Sequence, residues 1–192
     1  MLSSRTIRVC LLAAALGGTA LPASADVVWS VDPAGSTVAL SAAELVVAKV
    51  AGTIPIASGK IVTPGGTQAP SRVDVVLQAA ALTTHDAKRD ADLRSDHFFD
   101  VARYPQITFA SDRVRATGAQ TFAIDGRLTM RGVTRPITFD ARATGVRDDA
   151  SGKRRVHYDA VGRFRRSDYG MTYARGVVGN VVKLSVTIEA VD

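Results

Sequence analysis

Between residues 27 and 191, apolar side chains return at every second position in short runs separated by glycine, proline and charged residues. Val38, Leu40 and Ala42 form one such row, and Val73, Val75, Leu77 and Ala79 another. Phe122, Ile124, Gly126, Leu128 and Met130 alternate with Thr121, Ala123, Asp125, Arg127 and Thr129. The same beat recurs in Ile137, Phe139, Ala141 and Ala143, in Val156, Tyr158, Ala160, Gly162 and Phe164, and in Leu184, Val186, Ile188 and Ala190. A period of two is what a strand with one buried face requires, because successive side chains leave the backbone on opposite sides. Further strands are predicted over 27–32, which carries the lone tryptophan Trp29, and over 107–114. A strand over 50–62 is interrupted at Pro55, which has no N–H for a ladder and marks an edge, a bulge or a bend. Turn chemistry falls at Asp32-Pro33-Ala34-Gly35, over 63–70, at Gly118, at Arg131-Gly132 and over 148–152.

One segment breaks the beat. Thr83 with Asp86 has the form of a capping box, and Ala87, Ala91 and Leu93 favour helix. Asp90 and Arg94 make an acid-before-base pair at i, i+4. Pro105 forces Tyr104 out of helical geometry, so the helix ends before it, and Ile107 and Phe109 restart the strand pattern. About eight antiparallel strands with one short helical insertion predict an all-β, eight-stranded up-and-down barrel. Closure removes the sheet edges, and a barrel of this size can enclose one small ligand. A two-sheet sandwich is the second choice.

Composition changes this picture at the N-terminus. Arg5 and Arg8 precede an apolar run over 9–20 that is too short to span a bilayer, and Ala23-Ser24-Ala25 is a small-x-small cleavage pattern. Residues 1–25 therefore read as a signal peptide removed before Asp26, which implies a periplasmic protein. The one cysteine, Cys10, lies inside that segment and ahead of most of its apolar run, which argues against lipid attachment. Residues 26–192 then form a single domain without disulfides. The chain has 24 Lys and Arg against 18 Asp and Glu, a net charge of +6. Its basic residues cluster only over 153–155 and 163–166, and Phe164 alone interleaves with them. That is not a nucleic-acid groove, and it fits solubility or contact with anionic lipid surfaces.

Catalytic chemistry is sparse. There is no G-x-S-x-G elbow and no cysteine nucleophile after residue 25, and His85, His97 and His157 lack zinc spacing. His85, Asp92, Asp96, His97 and Asp100 crowd together, with His97 and Asp100 at i, i+3, but acids and histidines at a helix end read as surface groups. No metal, cofactor or catalytic residue is expected. Asp168 beside Arg166 and Tyr169 reads as a turn acid held by an arginine, and Gly170 as a backbone position of unusual geometry. Gly126, Ala141, Ala143, Ala160 and Gly162 on apolar faces leave volume inside a barrel, unless Phe122, Phe139, Tyr158 and Phe164 fill it. Composition alone leaves that choice open.

Several motifs resemble one family. Arg89 to Phe109 is similar to R-D-x-H-L-R-S-x-D-F-F-D-V-x-x-Y-P-x-I-T-F, the signature run of the YceI-like, lipocalin-like polyisoprenoid-binding proteins. Trp29, Val31, Asp32, Pro33, Ser36, Val38 and Leu45 match its N-terminal pattern. Residues 128–137, Arg166-Ser167-Asp168-Tyr169-Gly170-Met171 and residues 178–182 match three more. The chain departs from the family at Gly35, Glu44 and Asp92, where histidines are usual, and carries His97 where an acid is usual. The resemblance implies a lipocalin-like barrel with an elongated cavity for a polyprenyl chain, such as a quinone tail or prenyl phosphate. Its expected lining is Phe98, Phe99, Phe109, Phe122, Leu128, Phe139, Tyr158, Phe164, Tyr169 and Met171, with Arg89, Arg94 and Arg166 as head-group candidates. The expected protein is a carrier and not an enzyme, takes a polyisoprenoid or other long-chain lipid, and does not insert stably in a membrane. An unpaired strand near Pro55 would support a homodimer. Two other readings stand beside it: an enzyme on an amphiphile, using Asp92, Asp100, Arg94, Asp168 and Tyr169, and a stress-induced secreted barrel acting through its surface.

Overall fold

The protein is described by a computed structural model covering residues 25–44, 48–65 and 67–192. The expected signal peptide therefore lies, but for Ala25, outside the described residues, as does Leu45. Ten strand segments are present: β1 (Val27–Val31), β2 (Thr37–Glu44), β3 (Ala48–Ile54), β4 (Ile56–Thr63), β5 (Arg72–Gln78), β6 (Gln106–Ala116), β7 (Thr121–Met130), β8 (Val133–Asp148), β9 (Arg154–Arg165) and β10 (Val178–Val191). One helix, α1 (Ala87–Arg94), and two single 3-10 turns, Ala79–Ala81 and Arg166–Tyr169, complete it.

Every pairing is antiparallel, in the order β1-β4-β5-β6-β7-β8-β9-β10-β2-β3, and β1 returns to pair with β10. β1 and β2 run one after the other along β10, from Ser30↔Val191 through Thr37↔Thr187 to Glu44↔Val178. They are one strand interrupted by the turn at 32–36. β3 and β4 are likewise one strand bent at Pro55. Counted so, eight strands follow each other round a closed ring in chain order, the up-and-down barrel that the alternation predicts.

The ring has two unlike ends. The connections β4–β5, β6–β7 and β8–β9 and the end of β10 share one, here the far end. The turns β2–β3 and β7–β8, the long β5–β6 insertion with α1 and the β9–β10 connection share the other, the mouth. At the far end the interior is solid: Trp29, Thr63, Ala143, Val156 and Ala190 are each at most 2% exposed. The Trp29 indole N–H donates to the Thr63 hydroxyl at 2.9 Å. At the mouth, β3 leaves β5 beyond Pro55, and the insertion covers the gap. Thr53 and Thr83 exchange backbone hydrogen bonds of 2.8 and 3.0 Å, and the Pro55 carbonyl accepts from the Gln78 N–H. The edge expected to support a dimer is thus occupied within the chain.

The helix differs from its prediction in detail. Its N-cap is Asp86, whose carboxylate accepts from the Arg89 N–H at 3.0 Å, because Thr83 is engaged in the bridge to β3. Asp90 does not pair with Arg94. It is buried, and it accepts from the Thr83 hydroxyl and from both the N–H and the hydroxyl of Thr84, which hold its carboxyl below the usual range. The helix stops at Arg94, so His97 and Asp100 do not share a helical face. The Arg131-Gly132 hairpin takes positive φ at both residues, 51° and 71°, the geometry that suits a two-residue hairpin turn.

Candidate functional site

Among the described residues, two cavities are stacked along the barrel axis. The inner one, about 80 Å³, lies among Val38, Val75, Leu77, Phe109, Phe139, Tyr158, Ala160 and Leu184, and the surface it exposes is wholly apolar. The outer one, about 230 Å³, lies at the mouth among Leu40, Leu93, Phe98, Phe99, Phe164, Met171, Val177 and Val182, with Arg89, Asp92 and Arg166 at its margin. Successive inward positions pass from one to the other: Val38 then Leu40 on β2, Leu184 then Val182 on β10. Consecutive inward side chains on a strand stand about 7 Å apart, so the cavities abut.

What narrows the inner cavity is visible at the glycines. A Cβ on Gly126 would meet the Phe109 ring at 2.7 Å, and one on Gly162 would meet the Phe139 ring at 2.7 Å. The two rings are edge to face with centroids 5.1 Å apart. The volume left by small residues on β7 and β9 is therefore taken by phenylalanines from β6 and β8. Of the two outcomes the composition left open, filling prevails at these glycines, and the hollow persists over Ala141 and Ala160.

Eight of the ten residues expected to line a pocket do so. Phe109, Leu128, Phe139 and Tyr158 face the inner cavity, and Phe98, Phe99, Phe164 and Met171 the mouth. Phe122 and Tyr169 are buried but border neither. Phe122 sits towards the far end, and Tyr169 packs edge to face on Phe164 and donates to the Leu128 carbonyl at 3.5 Å. Burial pushes the Tyr169 phenol up to about 12. The aliphatic lining on β2, β5 and β10 was missed as a site, although its alternation was plain; preference for aromatics hid it.

The head-group candidates are differently employed. Arg166 is 3% exposed and donates to five carbonyls, those of Gly179, Met171, Tyr173, Ala174 and Val178. All five of its N–H groups are committed, so it offers charge to the mouth but no free donor. Desolvation, and secondarily Arg175, push its pKa down. It also lies 5.9 Å from the Phe98 ring centroid. Arg89 Nε donates to the Thr84 hydroxyl at 2.8 Å and lines the mouth. Arg94 Nη2 donates to the Leu82 carbonyl, while its buried Nε finds no partner among the described residues, and it lines neither cavity.

The polar groups that an enzyme would need do not converge. Asp92 accepts from His97 Nδ1 at 2.9 Å at the rim. Asp100 is buried against Arg103, and Asp168 is exposed. The arginine holding the Asp168 turn is Arg135, through the backbone carbonyl at 3.2 Å, and not Arg166. Among the described residues no group of three or more histidine, cysteine or acidic side chains gathers as a metal site. The lower edge of the mouth is fastened by His97, which stacks on Tyr173 with ring centroids 4.1 Å apart. At the far end the Tyr158 hydroxyl donates to the Gln68 carbonyl at 2.9 Å, and burial pushes its pKa up.

A closed antiparallel barrel with an apolar lumen is a lipocalin-like architecture. The YceI-like domain matches residues 29–190, and the chain belongs to that family. A UPF0312 protein of Enterobacter sp. (strain 638) is 38% identical over 124 residues, covering 65% of this chain and 64% of that protein. The chain thus spans just under two thirds of the length of that curated relative. Among solved structures, BcnA of Burkholderia cenocepacia superposes with a TM-score of 0.69 at 20% identity, over 83% of this chain and 98% of that one. A polyisoprenoid binding domain from Saccharophagus degradans, implicated in plant cell wall breakdown, superposes with a TM-score of 0.64 at 16% identity, over 85% and 97%. At these identities the structural likeness carries the fold alone.

Proposed function

We propose that the protein is a periplasmic carrier that holds a long isoprenoid chain in the barrel, tail inward and head at the mouth. Residues 1–25 are its cleaved signal peptide and 26–192 its working domain. The observation that supports this most directly is the wholly apolar inner cavity continuing from a mouth that carries charge. Each buried CH₂ contributes roughly 0.8 kcal/mol, so a five-carbon unit approaches about 3–4 kcal/mol. A few units therefore outweigh an association cost of about 4–15 kcal/mol. A cavity of about 150 Å³ holds benzene, so the inner cavity at about 80 Å³ takes a long chain only if Phe109 and Phe139 turn aside. Membership of the YceI-like family, and a fold shared with the polyisoprenoid binding domain from Saccharophagus degradans, are consistent with this ligand class. A binding role without catalysis fits the scatter of Asp92, Asp100, Arg94, Asp168 and Tyr169.

Native mass spectrometry of gently purified protein, with titration of a long-chain prenol, tests the reading. Saturable binding is expected, and Ala160→Phe, which fills the inner cavity, abolishes it while near-ultraviolet circular dichroism stays native. No bound apolar molecule and no prenol affinity in the unaltered protein defeats the proposal.

A further inference from the structure

The outer surface round the mouth carries a second feature. Among the described residues, the large apolar side chains left exposed are Val28, Val146, Tyr173, Val177 and Val181. Three of these, Tyr173, Val177 and Val181, lie on the β9–β10 connection and the start of β10, at the mouth, and are 44–51% exposed. Val177 itself lines the outer cavity, so the patch is continuous with the lumen. Exposed apolar groups gathered at one place mark a contact surface more often than scattered ones do.

The arginines beside this patch are held by backbone carbonyls. Arg131 donates to the Gly170 carbonyl, Arg135 to the Asp168 carbonyl and Arg166 to five carbonyls. None of them, nor exposed Arg175, is paired with a carboxylate among the described residues. Carbonyl dipoles orient a guanidinium without cancelling its charge. An apolar rim flanked by uncancelled cations is complementary to an anionic bilayer interface, where the side chains enter the acyl boundary and the arginines meet head groups.

We infer that the mouth end docks reversibly on anionic phospholipid membranes, with Tyr173, Val177 and Val181 at the interface and Arg175 among the phosphates. This rests on the proposed carrier role only for its purpose: a chain dissolved in the bilayer reaches the lumen without crossing water. A helix long and apolar enough to span a membrane is absent among the described residues, and docking requires none.

Flotation with vesicles free of prenyl lipid separates docking from ligand binding. The unaltered protein floats with phosphatidylcholine–phosphatidylglycerol vesicles at low salt, and much less with phosphatidylcholine alone or at high salt. Arg175→Gln and Val181→Ser, both at exposed positions outside the cavities, each weaken partition by roughly fivefold, the effect of about one interfacial charge or side chain. Val146→Ser, at the far end, leaves partition unchanged. Absence of flotation, or equal loss in Val146→Ser, overturns the inference. So does sedimentation showing that the patch is buried in a dimer of the chain. Prenol titration in solution is measured separately, so loss of docking with retained prenol affinity leaves the carrier reading standing.

Discussion

The two ends of the barrel use arginine in opposite ways. At and near the far end, guanidinium groups meet carboxylates. Arg155 bridges Asp32 and Asp149 at 2.9 Å each, Arg154 pairs with Asp192, Arg147 with Glu189 at 3.0 Å, and Arg115 with Asp125 at 3.0 Å. At the mouth, Arg89, Arg94, Arg131, Arg135 and Arg166 donate to carbonyl or hydroxyl oxygens instead. Arg103 with Asp100 is the exception there. The far end is thus closed by packing and by arginine–carboxylate staples whose charges largely cancel, while the mouth keeps charge over an apolar opening. The difference shows how one barrel can be shut at one end and receptive at the other without a change of strand pattern.

The sharpest way to break that comparison is Arg166→Leu. It strands five carbonyls that order the β9–β10 connection, and should cost about 3 kcal/mol or more in urea unfolding. Arg166→Lys should recover only part of this, because an ammonium cannot reproduce the fork. At the far end Arg155→Leu should cost only about 1 kcal/mol, since Asp32 and Asp149 keep their bonds from Ala34 and Ser151. Equal losses at the two ends would erase the distinction.

Between the ends, Gly162→Ala drives a methyl into the Phe139 ring and should destabilise by about 1–3 kcal/mol. Phe139→Ala should cost less in this background than alone, because the clash is gone, and should raise prenol affinity. A double-mutant cycle by urea titration measures it. Tyr158→Phe removes the donor to the Gln68 carbonyl and should cost about 1 kcal/mol, while leaving flotation unchanged.

The smallest effect concerns the outer wall. His157 lies between Glu189, 2.8 Å from Nδ1, and Asp159, 3.3 Å from Nε2, with Arg147 on the far oxygen of Glu189. The bond to Glu189, then that to Asp159, raises its pKa above the ordinary 6.5, against desolvation. A raised folded-state value means that the stabilisation is complete below about pH 6.5 and is lost as pH rises through the folded value. Urea midpoints should fall slightly between pH 6 and the mildly alkaline range, and His157→Gln should flatten that slope. A midpoint that rises over this window would reverse the sign and refute the assignment.

The alternation of Phe122 to Met130, Val156 to Phe164 and Leu184 to Ala190 was enough for strand, inward face and barrel class. Side-chain direction along a strand is set locally, and register follows from burying one face. The signature run from Arg89 to Phe109 likewise disclosed the family and, through that resemblance, put Phe98 and Phe99 in the expected lining. What it could not disclose depends on partners distant in sequence. That Asp86 and not Thr83 caps α1 follows from the bridge to Thr53. That Phe109 and Phe139 occupy the space over Gly126 and Gly162 follows from cross-strand neighbours on a curved sheet. That Arg166 holds five carbonyls follows from how the β9–β10 connection folds back on β10. Local periodicity fixes which way a residue points; only closure of the ring decides what it meets there, because contacts across a lumen join positions no local rule relates.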